Sequence, residues 1–181
     1  MLISNQFINM ITNSKYILAS SSASRKQILN KVGLNFKQVK PTCNEEWLKK
    51  IIKKKNKSPI FIAKKLSYEK ARSISQNKKY SSLEVIGCDT IISLNNQMFD
   101  KAKNMKQAKT KIKKLSGKKH KIISGLTICK NGKKIWQCSS ITEVKIRNLS
   151  EKQIDNYLKK TGTKILQSVG CYQIESLGPN I

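Results

Sequence analysis

The chain predicts an α/β fold in one domain, and three patterns carry that expectation. Apolar runs of strand length, at 16–19 and 83–94, are each followed by segments whose apolar residues recur at helical spacing. The dipeptide Asn131-Gly132 lies between two apolar runs, the signature of a tight hairpin. Helix start signals recur, with Ser58 before Pro59 and Ser150 three residues before Gln153.

Taken in order, residues 16–19 read as the end of a buried strand, and residues 25–31 as the first turns of a helix with Ile28, Leu29 and Val32 on one face. The hydroxyl-rich loop between them opens onto a helix N-terminus. Unpaired N–H groups and a positive dipole end there suit phosphate, with Arg25 and Lys26 adding charge. The plain alternative is that Ser22 or Ser24 caps an ordinary helix. Residues 35–39 form a short strand that leads into a polar loop at 41–46 holding Glu45 and Glu46. Trp47, Leu48, Ile51 and Ile52 stand at helical spacing. The next helix starts at Ser58-Pro59 and runs to about Gln76, with Ile62 and Leu66 on its apolar stripe and Glu69 and Lys70 beside it. Residues 83–94 form a strand, and Asn95-Asn96 turns the chain.

A helix at 104–115 ends at Gly117. Two strands, 122–129 and 134–139, flank Asn131-Gly132, and residues 141–148 alternate as a third. Ser150 opens a helix that ends at Gly162. His120 is the lone histidine and reads as a structural hydrogen-bonding group, and Trp47 and Trp136 read as packing residues.

Composition narrows the function. The formal charge is +27, yet of 37 basic residues only Arg25, Arg72 and Arg147 are arginine. Guanidinium is the group suited to bidentate phosphate and base contacts, so this excess of scattered lysine argues against specific nucleic-acid readout. Five cysteines without a C-x-x-C pair indicate neither a disulfide framework nor a zinc cluster, and a reducing cytoplasm is the expected setting. No apolar run reaches membrane-spanning length, so no membrane partner is expected.

Asp89 is the most informative residue. It interrupts a β-branched apolar strand, where a carboxylate must be paired, hydrogen-bonded or metal-bound, for function or for structure. Phosphoanhydride chemistry needs cations, metal-holding carboxylates and a group that orients water. Arg25, Lys70, Lys101, Glu45, Asp89 and the serine loop supply those types.

The segment ILASSSASRKQIL (17–29) resembles the opening motif of the Maf family of nucleoside triphosphate pyrophosphatases. VIGCDT (85–90), LSGKKH (115–120), LSE (149–151) and GCYQIE (170–175) resemble its later motifs, in order. The resemblance covers about residues 16–181, with 1–15 an N-terminal extension. It implies a Maf/inosine-triphosphatase-like fold, an elongated mixed β-sheet flanked by helices with a central nucleotide cleft. It also implies hydrolysis of a nucleoside triphosphate to monophosphate and diphosphate with Mg²⁺, or Mn²⁺ or Co²⁺, in clearing non-standard nucleotides, and a link to septum formation.

By position, the resemblance makes Ser20, Ser22 and Arg25 phosphate-loop residues and Lys70 and Lys101 phosphate-binding lysines. It makes Asp89 the proton acceptor, with Glu45 and Asp89 holding the metal. Three positions match those that sort substrates. Thr90 resembles the branch that hydrolyses dTTP and UTP, Glu175 the branch that prefers 7-methyl-GTP, and Ser24 neither. Ala23 and Ala102 replace common prolines. Members usually continue past Gly178 with further strands and a Gly-Leu-Pro segment, so the end of this chain is expected to be shortened. A homodimer is a further expectation. The competing reading is an inactive basic relative that binds nucleotides or nucleic acid.

Overall fold

Leu18, Ala19 and Val85 are fully buried because two parallel strands, β1 (Tyr16–Ala19) and β3 (Glu84–Leu94), lie side by side in the sheet interior. Apolar residues on both faces of such strands suit that place. The computed structural model describes residues 16–54 and 58–173. In chain order the other elements are α1 (Ala23–Lys31), β2 (Phe36–Val39), α2 (Glu45–Lys54), α3 (Pro59–Ser75), β4 (Gln97–Phe99), α4 (Met105–Leu115), β5 (Lys119–Lys130), β6 (Lys133–Lys145) and α5 (Glu151–Thr161), followed by a 3-10 turn, Gly162–Gln167.

Among the described residues six strands form one mixed sheet in the order β2-β1-β3-β5-β6, with β4 paired antiparallel to β3. β2 and β3 both run parallel to β1, in a register that sets Ala19 opposite Val39 on one side and Gly87 on the other. The chain divides into two compact units, Met1–Asp89 with Ser124–Ser139, and Thr90–Ile123 with Ser140–Ile181.

The first unit packs α3 on its strands. Ile17, Ala19, Val85 and Cys129 meet Ala71 and Ile74 in a dry cluster. The helix lies unusually close to the sheet because two glycines face it. A Cβ on Gly87 would stand 2.1 Å from the Ser67 carbonyl oxygen, and one on Gly125 would stand 2.4 Å from that of Ala63. Polar groups under the helix are satisfied locally: the Ser67 and Thr127 hydroxyls are 2.7 Å apart, and Gln137 donates to Thr127 Oγ1 and to the Lys64 carbonyl. The second unit has its own core, with Ala108 and Ile112 of α4 against Ile154 and Leu158 of α5 and Ile165 of the 3-10 turn. Ile92, Leu115, Ile146 and Tyr172 form a further cluster there.

The capping expectations hold. Ser22 caps α1, Ser58 caps α3 ahead of Pro59, and Ser150 and Gln153 form a reciprocal capping box. Asn131 and Gly132 both have positive φ, as a two-residue hairpin turn requires.

Five readings change. The strands expected at 134–139 and 141–148 are one strand, β6, which runs from Lys133 to Lys145 beside β5. Glu45 and Glu46 lie in the first turn of α2 rather than in a loop, since the Asn44 side chain accepts the Trp47 N–H and caps the helix. The helical spacing of Ile28 and Val32 is real, yet they are 57% and 69% exposed and α1 buries no residue. Trp47 and Trp136, expected to pack, are 58% and 47% exposed. Glu69 pairs with Lys65 at 2.6 Å instead of accompanying Lys70. The proposed extension at 1–15 lies outside the described residues.

Candidate active site

β1 ends at Ala19, opposite Gly87 of β3, while β3 runs on to Leu94 and carries Asp89 past the end of its neighbour. Ser20 follows β1 directly and is 3% exposed. Its Oγ accepts from the Ser22 N–H and from Arg25 Nη1, each at 3.2 Å. The Ser20 hydroxyl is therefore the acceptor in both contacts. Ser22 in turn accepts the Arg25 N–H, and its carbonyl accepts from Gln38 Nε2 at 3.3 Å. The loop is thus tied to the start of α1 on one side and to β2 on the other.

Asp89 stands two residues past Gly87 on β3 and is 4% exposed. Lys70, 5% exposed on α3, donates to Asp89 Oδ1 at 2.7 Å and reaches Glu45 Oε2 at 2.9 Å. One ammonium therefore joins two carboxylates and leaves the trio one negative charge in excess. Asp89 Oδ2 is buried with no hydrogen-bond partner among the described residues. A buried anionic oxygen without a partner is costly, which marks the place where a cation or a water proton is expected.

Backbone fastening sets Glu45 within reach of Lys70. Thr42 donates its N–H to Ser73 Oγ and its hydroxyl to the Ser73 carbonyl, and Ser73 Oγ donates to the Lys70 carbonyl. The loop before α2 is so held against the last turns of α3. Two thiols sense the local field. Burial pushes the Cys88 thiol up, opposed by Arg25 and then Lys70. Burial and then Glu45 push the Cys43 thiol up, opposed by Lys70.

The structure brings Ser20, Ser22 and Arg25 into one hydrogen-bonded loop, and Glu45, Lys70 and Asp89 into one ion cluster. Ser24 is exposed, its hydroxyl 3.0 Å from that of Ser22. Thr90 and Lys101 belong to the second unit, Lys101 exposed just after β4. Glu175 lies outside the described residues. Gln38, Thr42, Ser73 and Gly87 were not singled out from sequence. Only Gly87 carried a signal, a glycine inside a strand pattern, which marks close backbone approach. A hollow of about 220 Å³ lined by Tyr16, Asn35, Phe36 and Tyr80 lies at the other end of β1 from Ser20 and takes no part in the cluster.

His120, at 2% exposure, shares a 2.6 Å hydrogen bond between its Nε2 and the Tyr172 hydroxyl, the structural role expected of it. Burial lowers the His120 pKa and raises that of Tyr172 to about 12.

Comparison with known proteins locates these residues in a family. A family model described as Maf-like protein matches residues 15–181. The 7-methyl-GTP pyrophosphatase of Bartonella quintana (strain Toulouse) is 39% identical over 162 residues, 90% of this chain and 80% of that protein. The nucleoside triphosphate pyrophosphatase of Pelagibacter ubique (strain HTCC1062) is 33% identical over 165 residues, 91% of this chain and 84% of that one. Among solved structures, a HAM1 protein from Coxiella burnetii matches with a TM-score of 0.45 and 13% identity, over 73% of this chain and 72% of the other. Among the described residues no helix is long and apolar enough to cross a membrane.

Proposed function

From the premise that the chain belongs to the Maf family, we propose that it hydrolyses a nucleoside triphosphate to the monophosphate and diphosphate. The observation that carries the reading is the buried Asp89, ion-paired through one oxygen to Lys70 and left with Oδ2 unpartnered among the described residues, on β3 two residues past Gly87, which faces Ala19 at the start of the Ser20–Arg25 loop.

In this reading the serine loop binds the outgoing diphosphate. Ser20 donates its hydroxyl, Arg25 supplies charge, and the open N–H groups at the start of α1 face the anion. Lys70 holds the carboxylates of Asp89 and Glu45 in place against their mutual repulsion. Asp89 Oδ2 takes the proton of the water that attacks the α-phosphorus, and the bond to the bridging oxygen breaks to release diphosphate. Lys101, carried over from the family motif, meets a phosphate oxygen.

A divalent cation, Mg²⁺ or in its place Mn²⁺ or Co²⁺, suits Glu45 and Asp89. The orphaned Oδ2 is an oxygen ligand, and one or two carboxylates plus substrate phosphates are what Mg²⁺ commonly takes from a protein site. When bound, it would neutralise the charge that develops on the phosphate oxygens. The base is set by other residues, Ser24, Thr90 and Glu175, whose pattern matches neither substrate branch whole. The relatives named for 7-methyl-GTP make that triphosphate the first to assay, beside dTTP and UTP.

The test is diphosphate release from such a panel with added Mg²⁺. Asp89→Asn should lower kcat by about 10²–10⁴, the usual contribution of a positioned base, while near-UV circular dichroism stays that of the parent. An Asp89→Asn protein that turns over at the parent rate would remove Asp89 from the reaction. Absence of diphosphate release from every triphosphate, with tight and salt-dependent oligonucleotide binding in its place, would favour the inactive binding relative.

A further inference from the structure

Val39 of β2, Ala19 of β1 and Gly87 of β3 lie side by side in register, and β2 and β1 both end at this row. Neighbouring strands stand about 4.8 Å apart, so the residues just past the row form a short line across the sheet. Ser20 follows Ala19 at its middle, Asp89 lies beyond Gly87 at one end, and Lys40 follows Val39 at the other. Lys40 is exposed and forms no ion pair among the described residues. Side-chain alternation decides which way it faces. Val39 packs with Ile17, Ala19 and Val85 on the side of α3. Gln38 points to the other face, where its Nε2 donates to the carbonyl of Ser22, the N-cap of α1. Lys40 comes two residues after Gln38, and Pro41 behind it favours an extended backbone, so the alternation carries on. Its side chain is thus directed to the side on which the Ser20–Arg25 loop meets α1. Lys37 of the same strand alternates to the opposite face.

We propose, on the reading that the serine loop takes the outgoing diphosphate, that Lys40 binds its terminal phosphate and so selects nucleoside triphosphates over nucleoside diphosphates. A triphosphate laid along the line with its α-phosphorus at Asp89 meets Ser20 and Arg25 with its β-phosphate and Lys40 with its γ-phosphate. The order of the phosphates then matches the order of the strands, β3, β1 and β2. A nucleoside diphosphate in the same pose ends at Ser20 and leaves Lys40 in water. An ammonium acts on phosphate as a point charge, which suits a terminal group free to turn, whereas the guanidinium of Arg25 is fixed to Ser20 at 3.2 Å.

The probe is inorganic diphosphate, titrated calorimetrically at about 0.15 M salt, where the general field of the +27 chain is screened beyond about 8 Å. Lys40→Gln should weaken its binding by about tenfold, the worth of one charge-assisted hydrogen bond. Lys37→Gln removes the same charge from the other face of β2 and should leave binding unchanged, and Lys40→Arg should keep it. Turnover gives a second readout. Water converts a nucleoside triphosphate to monophosphate and diphosphate, and a nucleoside diphosphate to monophosphate and phosphate. Lys40→Gln should raise KM about tenfold for the triphosphate with kcat unchanged, and leave kcat/KM for the nucleoside diphosphate at the parent value. Equal affinity for inorganic diphosphate in Lys40→Gln and parent, or an equal loss in Lys37→Gln and Lys40→Gln, would overturn the assignment whatever the turnover. So would a KM that rises alike for both nucleotides. A loss of affinity confined to Lys40→Gln, in a chain that hydrolyses no triphosphate, would uphold the phosphate contact and overturn the hydrolytic reading instead.

Discussion

Two lysine–carboxylate clusters in this molecule look alike on paper and differ in every physical respect. In one, Lys70 is buried between Glu45 and Asp89 on elements that the fold holds rigidly together. In the other, Lys109 and Lys113 of α4 face Glu151 and Asp155 of α5 across an open surface. The Asp155 hydrogen bond raises the Lys109 pKa, and the Lys113 hydrogen bond lowers that of Glu151. Water and salt screen the surface set, so its partners are interchangeable. Lys70 and Asp89 are both buried, so their charges depend on each other, while Glu45 joins them from a side chain that is 40% exposed. The difference is why the same residue types serve solubility in one place and chemistry in the other.

The sharpest way to break the comparison is to remove the central ammonium. Lys70→Met leaves Asp89 buried and unpaired and should cost about 3–5 kcal/mol in denaturant-induced unfolding, with loss of turnover. If stability were unchanged, the buried cluster would be no more coupled than the surface one. A smaller effect is expected from the backbone below it. Gly87→Ala forces a methyl into the Ser67 carbonyl and should cost about 1–3 kcal/mol or more, lifting α3 and with it Lys70. Its signature is a fall in kcat larger than any change in KM, which a merely looser fold would not produce.

A third test concerns the other buried ionisable pair. The His120 pKa is lowered in the folded chain, so below about pH 6.5 the unfolded chain binds the proton first and stability falls with further acidification down to the folded value. The Tyr172 pKa is raised to about 12, so stability also falls as pH rises from about 10 toward that value. His120→Gln should flatten the acid limb in urea titrations across pH, whereas an unchanged slope would exclude the histidine as its source. The smallest effect is assigned to Lys109→Ala, which should leave the thermal midpoint and its salt dependence within measurement scatter. A clear loss would show that the α4–α5 surface pairs are coupled after all.

Much of the fold was legible because its signals are local. Ser22, Ser58, Asn104 and Ser150 cap helices by reaching backbone only three residues away, so the sequence window contains the whole interaction. Asn131-Gly132 makes its turn for the same reason. The errors arose where a distant element decides. Spacing showed that Ile28 and Val32 share a helix face, but whether anything covers that face is not a property of the helix, and nothing among the described residues buries it. Ser140 interrupts the apolar alternation of residues 134–148 without interrupting the strand, because the strand β6 is held by pairing rather than by pattern.

The candidate site divides along the same line. An acidic residue in the middle of an apolar strand, and serines ahead of a helix start, announce themselves by breaking the rule of their own segment. That is why Asp89 and Arg25 stand out within their own segments, whereas Ser20 was picked out by the family resemblance. Lys70 and Glu45 stand 19 and 44 positions before Asp89, and each lies in a segment rich in unremarkable lysines or polar residues. Their meeting depends on how closely α3 approaches the sheet over Gly87, and on Ser73 fastening Thr42. Sequence determined which groups could do chemistry, since a charge is costly wherever an apolar segment buries it. Tertiary structure decided which of them share a field, since that is set by backbone approaches of a few ångströms between segments far apart in the chain.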